Sequence, residues 1–165
     1  LDDLKPAFSE TRSVIVGTSS PLTDGASAVL VTTEEFAKKN GLEPLARIKS
    51  FAVSGCKPEI MGIGPVNSSK KAMKRSGITA DDLDVIELNE AFSSQSLAVI
   101  QDLELDIAKI NIDGGALALG HPLGATGARI TGKAAQILRR DGGRYALSTQ
   151  CIGGGQGIAT VLEAA

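Results

Sequence analysis

Gly114-Gly115-Ala116-Leu117-Ala118-Leu119-Gly120-His121-Pro122-Leu123-Gly124-Ala125-Thr126-Gly127-Ala128-Arg129 is the stretch on which the reading of the fold turns. It is a glycine-rich turn running into a helix, and it holds the only histidine of the 165-residue chain. Upstream, Lys109 to Asp113 reads as a strand leading into the turn. Downstream, a helix is expected from Ala125 to Arg140, followed by a strand from Arg144 to Thr149. Strand, glycine loop, helix and strand in that order form the repeating unit of a helix-covered α/β sheet.

The same alternation extends outward. Val85 to Leu88 is an apolar strand ending in Asn89-Glu90-Ala91-Phe92, and Ala91 to Leu103 is an apolar-rich helix. After Thr149 comes Cys151-Ile152-Gly153-Gly154-Gly155-Gln156-Gly157, read as an antiparallel, hairpin-like loop into a last strand, Ile158 to Leu162. Nearer the start, Ser27 to Val31 reads as a buried strand, and Thr32 with Glu35 has the spacing of a capping box on a helix that Gly41 stops. Leu45 to Ser54 is a further strand, Gly55 to Pro65 a loop, and Ser68 to Ser76 a basic helix stopped by Gly77. Thr79 and Asp82 cap a short helical turn. Leu1 to Leu22 reads as an excursion that arrives from elsewhere. The expected architecture is α/β, a mixed and mostly parallel sheet covered by helices.

Composition narrows the classes. At 42% hydrophobic the chain can bury a core, and with no Trp, one Tyr and four Phe that core is aliphatic. A net charge of −2 argues against a nucleic-acid partner, and Lys70, Lys71, Lys74 and Arg75 read as one solvated helix face. No apolar run reaches the roughly 20 residues of a membrane span, and no signal peptide is visible. Cys56 and Cys151 follow no disulfide or zinc spacing, so a reducing compartment is expected, the cytoplasm or an organellar matrix. Leu1 in place of an initiator Met is read as the mark of an absent N-terminal region.

Three residues sit where chemistry could be done. His121, between Gly120 and Pro122 and just before a helix, faces the positive end of a helix dipole, which keeps the imidazole neutral and able to act as a base. Cys151 follows a strand and precedes three glycines, so its thiol stands beside backbone N–H groups able to hold an oxyanion. Asn89 ends a strand where its amide could cap the next helix or hold a water. Glu90 is read as a loop-fixing carboxylate, and Cys56 as a small buried hydrophobe. Competing motifs fail: Gly115 to Gly120 has a P-loop gap, but His121-Pro122 replaces the Lys and Ser/Thr that bind phosphate. There is no G-x-G-x-x-G and no G-x-S-x-G, and a single His does not make a metal cluster, so no metal is expected.

The three segments, with Leu4-Lys5-Pro6-Ala7-Phe8, Asp24-Gly25-Ala26, Pro58-Glu59-Ile60-Met61-Gly62 and Gly64-Pro65, resemble the thiolase family, and specifically its C-terminal half. The resemblance implies acyl transfer between 3-ketoacyl thioesters and CoA, by Claisen condensation or thiolysis, with CoA as a substrate and no tightly bound cofactor. It assigns His121 to activation of the nucleophilic cysteine and to one oxyanion hole, and Cys151 to the acid/base work at the α-carbon. Asn89 would hold the water completing that hole, and Gly153 would supply the N–H of a second. Ser20, Met61, Ala91 and Phe92 would line the pantetheine and acyl tunnel. Thr18 and Pro21 depart from the family's Asn and Gly in the Ser20 loop, while Asn89 and Cys151 distinguish the chain from the related ketosynthases.

The family places its nucleophilic cysteine in an N-terminal half that this sequence does not contain. The resemblance therefore implies residues 1–22 as the end of a loop domain, 23–44 as the last strand and helix of an N-terminal domain, and 45–165 as the C-terminal domain. The isolated chain is expected to be inactive, to partner with an N-terminal half, and to assemble as a homodimer or homotetramer. The alternative is a thiolase-like CoA-binding or assembly module without catalysis.

Overall fold

The computed structural model describes Leu1, residues 3–8 and residues 14–165. Four strands form one sheet in the order β1-β4-β3-β2, with β1 Ala46–Gly55, β2 Val85–Leu88, β3 Tyr145–Ile152 and β4 Gln156–Ala164. β1 pairs with β4 and β4 with β3, both antiparallel, whereas β2 and β3 are parallel. The sheet is mixed, as expected, but parallel pairing is confined to β2 and β3 among the named strands. The balance shifts because β4 returns from β3 through a tight hairpin and β1 adds to its far side. Gly154 and Gly155 at that hairpin have φ of +80° and +87°, a region open to glycine at little cost.

Side chains alternate across the strands, so each face builds its own core. On one face Ile86, Leu88, Leu147 and Val161 pack with helices α2, Gly64–Ser76, and α3, Ser93–Leu103. On the other, Val85, Ala146 and Leu162 pack beneath α5, Leu123–Asp141, through Ala134, Ile137 and Leu138. The remaining helices are short: α1, Glu34–Lys39, and α4, Ala116–Leu119. Two basic side chains of α2 reach the free edge of β1, where Arg75 donates to Phe51 O at 2.5 Å and Lys71 to Val53 O at 3.5 Å. Such contacts occupy edge carbonyls that would otherwise invite another strand. Among the described residues no helix is long and apolar enough to cross a membrane.

Glu87 alternates onto the α5 face of β2 and is 1% exposed, with neither carboxylate oxygen hydrogen-bonded among the described residues. Burial raises its pKa to about 7, against the opposing pull of Arg129 and Lys133.

Several elements depart from their sequence reading. Ser27 to Val31 forms no strand ladder; Ser27 Oγ donates to Ala125 O at 2.6 Å, tying the segment to α5, and Leu30 and Val31 remain 73% and 67% exposed. Among the described residues the apolar run has no neighbouring strand to pair with. Lys109 to Asp113 yields a 3-10 turn, Ile107–Lys109, and one parallel bridge between Ile110 and Ile86. The cap of α1 is Thr33, accepting from Phe36 N at 3.2 Å, one residue beyond the expected Thr32. Asp82 accepts from Thr79 N at 2.7 Å in a turn without a helix. β3 runs through Cys151, so that residue lies in a strand end and not in the loop.

Candidate active site

The carboxyl ends of parallel strands are where α/β sheets place their ligands, and three of the sequence-selected residues gather there. Leu88 pairs with Thr149 at the end of the parallel ladder, and Asn89 N donates to Thr149 O at 3.0 Å. Asn89 thus leaves β2 beside the last residues of β3, two before Cys151. His121 joins from the link between α4, which ends at Leu119 with Gly120 as its cap, and α5, which begins at Leu123. Asn89 Nδ2 and His121 Nε2 are 3.3 Å apart.

The far side of the imidazole fixes its tautomer. His121 Nδ1 is 2.7 Å from the hydroxyl of Thr126, which donates to Pro122 O at 3.0 Å. A hydroxyl has one proton and a carbonyl only accepts, so Thr126 accepts from His121 Nδ1–H. The Nε2 lone pair is left toward Asn89, whose Nδ2 donates to it. Asn89 Oδ1 is buried without a hydrogen-bond partner among the described residues. Desolvation, and after it the Arg129 guanidinium, hold the His121 pKa below its ordinary value. The pull toward the neutral ring thus comes from burial and the Arg129 charge, whereas the sequence reading ascribes it to the helix dipole, and the acceptor nitrogen is defined.

The loop around His121 is clamped. His121 N donates to Thr23 Oγ1 at 3.2 Å, and that hydroxyl donates to Pro21 O at 2.8 Å. Gly120, at φ +96°, faces Thr23 so closely that a Cβ would collide with it. A cavity of about 490 Å³ opens at this point, lined by Leu22, Thr23, Asp24, His121 and Leu123. Glu90 performs the structural task read from the sequence: Oε1 accepts from Asn111 Nδ2 at 2.7 Å and Oε2 from Leu117 N at 3.0 Å.

Cys151 is half-buried, and burial pushes its thiol above the ordinary value, with Cys56 acting in the same direction and a backbone hydrogen bond opposing it. Gly153 lies in the exposed turn after β3, with no atom within 4 Å of where a Cβ would stand. Ser20 is bound to the Asn89 loop, its N and Oγ both donating to Ala91 O at 3.0 and 3.2 Å. Phe92 caps α3 and bridges Ser19. Met61 lies in the 3-10 segment Pro58–Ile63, its carbonyl 4.0 Å from Cys56 Sγ. No group of three or more His, Cys, Asp or Glu side chains among the described residues could hold a metal ion. Sequence reading passed over Thr126, Thr23 and Asn111; the available signal was a hydroxyl in the first helical turn after a loop histidine.

The family model described as thiolase, C-terminal domain, matches residues 42–164. The mitochondrial 3-ketoacyl-CoA thiolase of Homo sapiens is 50% identical over 163 residues, covering 99% of this chain and 41% of that protein. The 3-ketoacyl-CoA thiolase of Pseudoalteromonas translucida is 55% identical over 167 residues, covering 99% and 43%. The crystal structure of the human mitochondrial enzyme in complex with CoA superposes with a TM-score of 0.96 at 49% identity, over 99% of this chain and 42% of that one. The chain thus spans about two-fifths of the length of these relatives.

Proposed function

The chain belongs to the thiolase family, and from that membership we propose that it forms the C-terminal part of an acyltransferase moving acyl groups between 3-ketoacyl thioesters and CoA. The observation that carries this reading is the 3.3 Å approach of Asn89 Nδ2 to His121 Nε2 at the strand ends where Cys151 also lies. CoA is supported as the ligand class by the CoA-bound human relative. On this reading residues 1–22 and 23–44 belong with the loop and N-terminal domains, and 45–165 with the C-terminal domain.

The chemistry needs a base for a thiol, a home for negative charge on oxygen, and a proton carrier at carbon. His121 Nε2, held as an acceptor by Thr126, exchanges the Asn89 Nδ2 donor for the nucleophilic thiol, which the resemblance places in the N-terminal half, and takes its proton. Once protonated, Nε2–H donates to the thioester oxygen as charge develops there, together with a water held at Asn89 Oδ1. Preorganised donors of this kind lower such barriers by roughly 3–4 kcal/mol each. Gly153 N–H serves the second oxyanion. Cys151 handles the α-proton: its raised pKa makes the resting thiol a proton donor, suited to protonating the carbanion released in thiolysis. In condensation its proton goes first to the CoA thiolate released when the nucleophilic cysteine is acylated, and the Cys151 thiolate left behind takes the α-proton. Ser20, Met61, Ala91 and Phe92 line the pantetheine and acyl path, and the complete protein is a homodimer or homotetramer.

The test is CoA-dependent cleavage of acetoacetyl-CoA by the 165-residue chain alone, then with the N-terminal portion of a relative added. Silence alone with turnover on addition is the expected result. Turnover by the chain alone would overturn the assignment of the nucleophile. CoA binding without turnover in either setting would favour a non-catalytic module.

A further inference from the structure

We infer that Asn111 is a positioning residue that, with Glu90, sets the geometry between Asn89 and His121; the functional weight of that geometry rests on the acyltransferase reading above. Asn111 has φ of +47°, a region that non-glycine residues visit seldom and that Asn tolerates best. It stands where the chain turns away from β2 after the single bridge at Ile110. In this conformation every polar group it carries is used. Its N–H donates to Ile86 O at 2.8 Å and its carbonyl accepts from Gly114 N at 2.7 Å. Its side-chain Oδ1 accepts from Leu88 N at 3.0 Å, while Nδ2 donates to Leu88 O at 2.8 Å and to Glu90 Oε1 at 2.7 Å.

One buried amide, 9% exposed, thus does for Leu88 what a residue of a further strand would do. The two residues it grips lie on either side of Asn89. Its reach continues through Glu90, whose second oxygen accepts from Leu117 N at 3.0 Å, inside the short helix that delivers His121. Gly115 leaves the space for that carboxylate, since a Cβ there would overlap it. Both partners of the 3.3 Å contact are therefore referenced to one side chain that touches neither the imidazole nor the Asn89 amide. A loose anchor at either end would displace the acceptor nitrogen from the oxyanion position, where small displacements cost large factors in rate.

N111D tests this with little change of shape. It removes two donors and sets a carboxylate against that of Glu90. The double variant N111D/E90Q restores the contact at position 90, because the introduced amide donates to the new carboxylate and still accepts from Leu117 N, and leaves Leu88 O as the one group without its donor. The chain has a single histidine, so the imidazole nitrogen resonances of the 15N-labelled chain read the His121 environment without any activity. Expected results are a shifted Nε2 resonance in N111D, a tenfold or greater loss of kcat with little change in KM in the chain reconstituted with an N-terminal portion, and partial recovery of both in the double variant. An unmoved Nε2 resonance with unchanged kcat in N111D overturns the inference. So does a double variant that folds by circular dichroism yet recovers neither. E90Q alone is the second variant should N111D not fold: its one oxygen serves Asn111 or Leu117 but not both, and a folded E90Q with unaltered resonance and kcat also overturns it. Absence of turnover in the reconstituted wild type would refute the acyltransferase reading and leave the resonance to decide this one.

Discussion

The hydroxyl of Thr126, fully buried in the first turn of α5, accepts the Nδ1–H of His121 across 2.7 Å and so decides which imidazole nitrogen is free to take a proton. T126V keeps the shape and removes that acceptor. Loss of a hydrogen bond to a buried donor costs about 1–3 kcal/mol, so the Nδ1–H tautomer loses its advantage and kcat of the reconstituted enzyme falls about tenfold to a hundredfold. T126S, which keeps the hydroxyl, retains most activity. Nitrogen resonances of the single histidine report the tautomer directly; an unaltered tautomer in T126V would refute the role.

His121 titrates below 6.5, from desolvation and the Arg129 charge. The unfolded chain therefore binds the proton first as pH falls. This residue's contribution to stability is complete above the unfolded value and is lost as pH drops through the window between the unfolded and folded values. A proton titration of the lone imidazole is expected to give a midpoint under 6.5, and the acid limb of turnover should follow it. A midpoint at or above 6.5 contradicts the burial argument.

Glu87 behaves in the opposite sense. Its folded pKa of about 7, against 4.5 when unfolded, means that the native state holds the proton more tightly. Stability is full below the unfolded value and declines as pH rises from 4.5 to about 7, by on the order of 3 kcal/mol. E87Q removes the ionisation, so it should raise Tm at pH 8 and change it little at pH 5. Equal effects at both pH values would show that the carboxylate is not desolvated as the structure has it.

Two glycines predict opposite signs. G115A drives a Cβ into the Glu90 carboxylate and should cost about 1–3 kcal/mol in urea unfolding, a typical penalty of overpacking. G124A, in the first turn of α5 with nothing within 4 Å, should stabilise by up to about 1 kcal/mol through helix propensity. A tolerated G115A would mean that Glu90 is free to move.

Sequence patterning found what depends on local chemistry. The β2 and β3 runs, the helix after His121 and the glycine stop at Gly77 were legible because apolar period and turn residues are local signals. His121, Asn89 and Cys151 stood out by placement at element ends. Pairing was less accessible. Ser27 to Val31 has the composition of a buried strand and forms no ladder, since a strand needs a neighbour that composition does not disclose. Cys151 reads as a loop residue beside three glycines, yet the hairpin register carries β3 past it. Thr126 and Asn111 were invisible because their importance lies in which atoms face them: one meets an imidazole nitrogen, the other takes a left-handed turn to reach Leu88.

The Gly153 to Gly155 hairpin also acts as an alignment device. Cys151 shares its face of β3 with Leu147 and Thr149, the latter held by Ser69 of α2 at 3.1 Å. Strand side chains alternate, so sliding β3 by one residue against β4 would turn the thiol to the α5 side, and with it would flip Ala146 and Leu147 out of their cores. The length of that turn thus fixes which face of the sheet carries Cys151. A one-residue insertion that shifts the register would therefore unseat both cores along with the thiol, whereas one absorbed within the turn would leave all three in place.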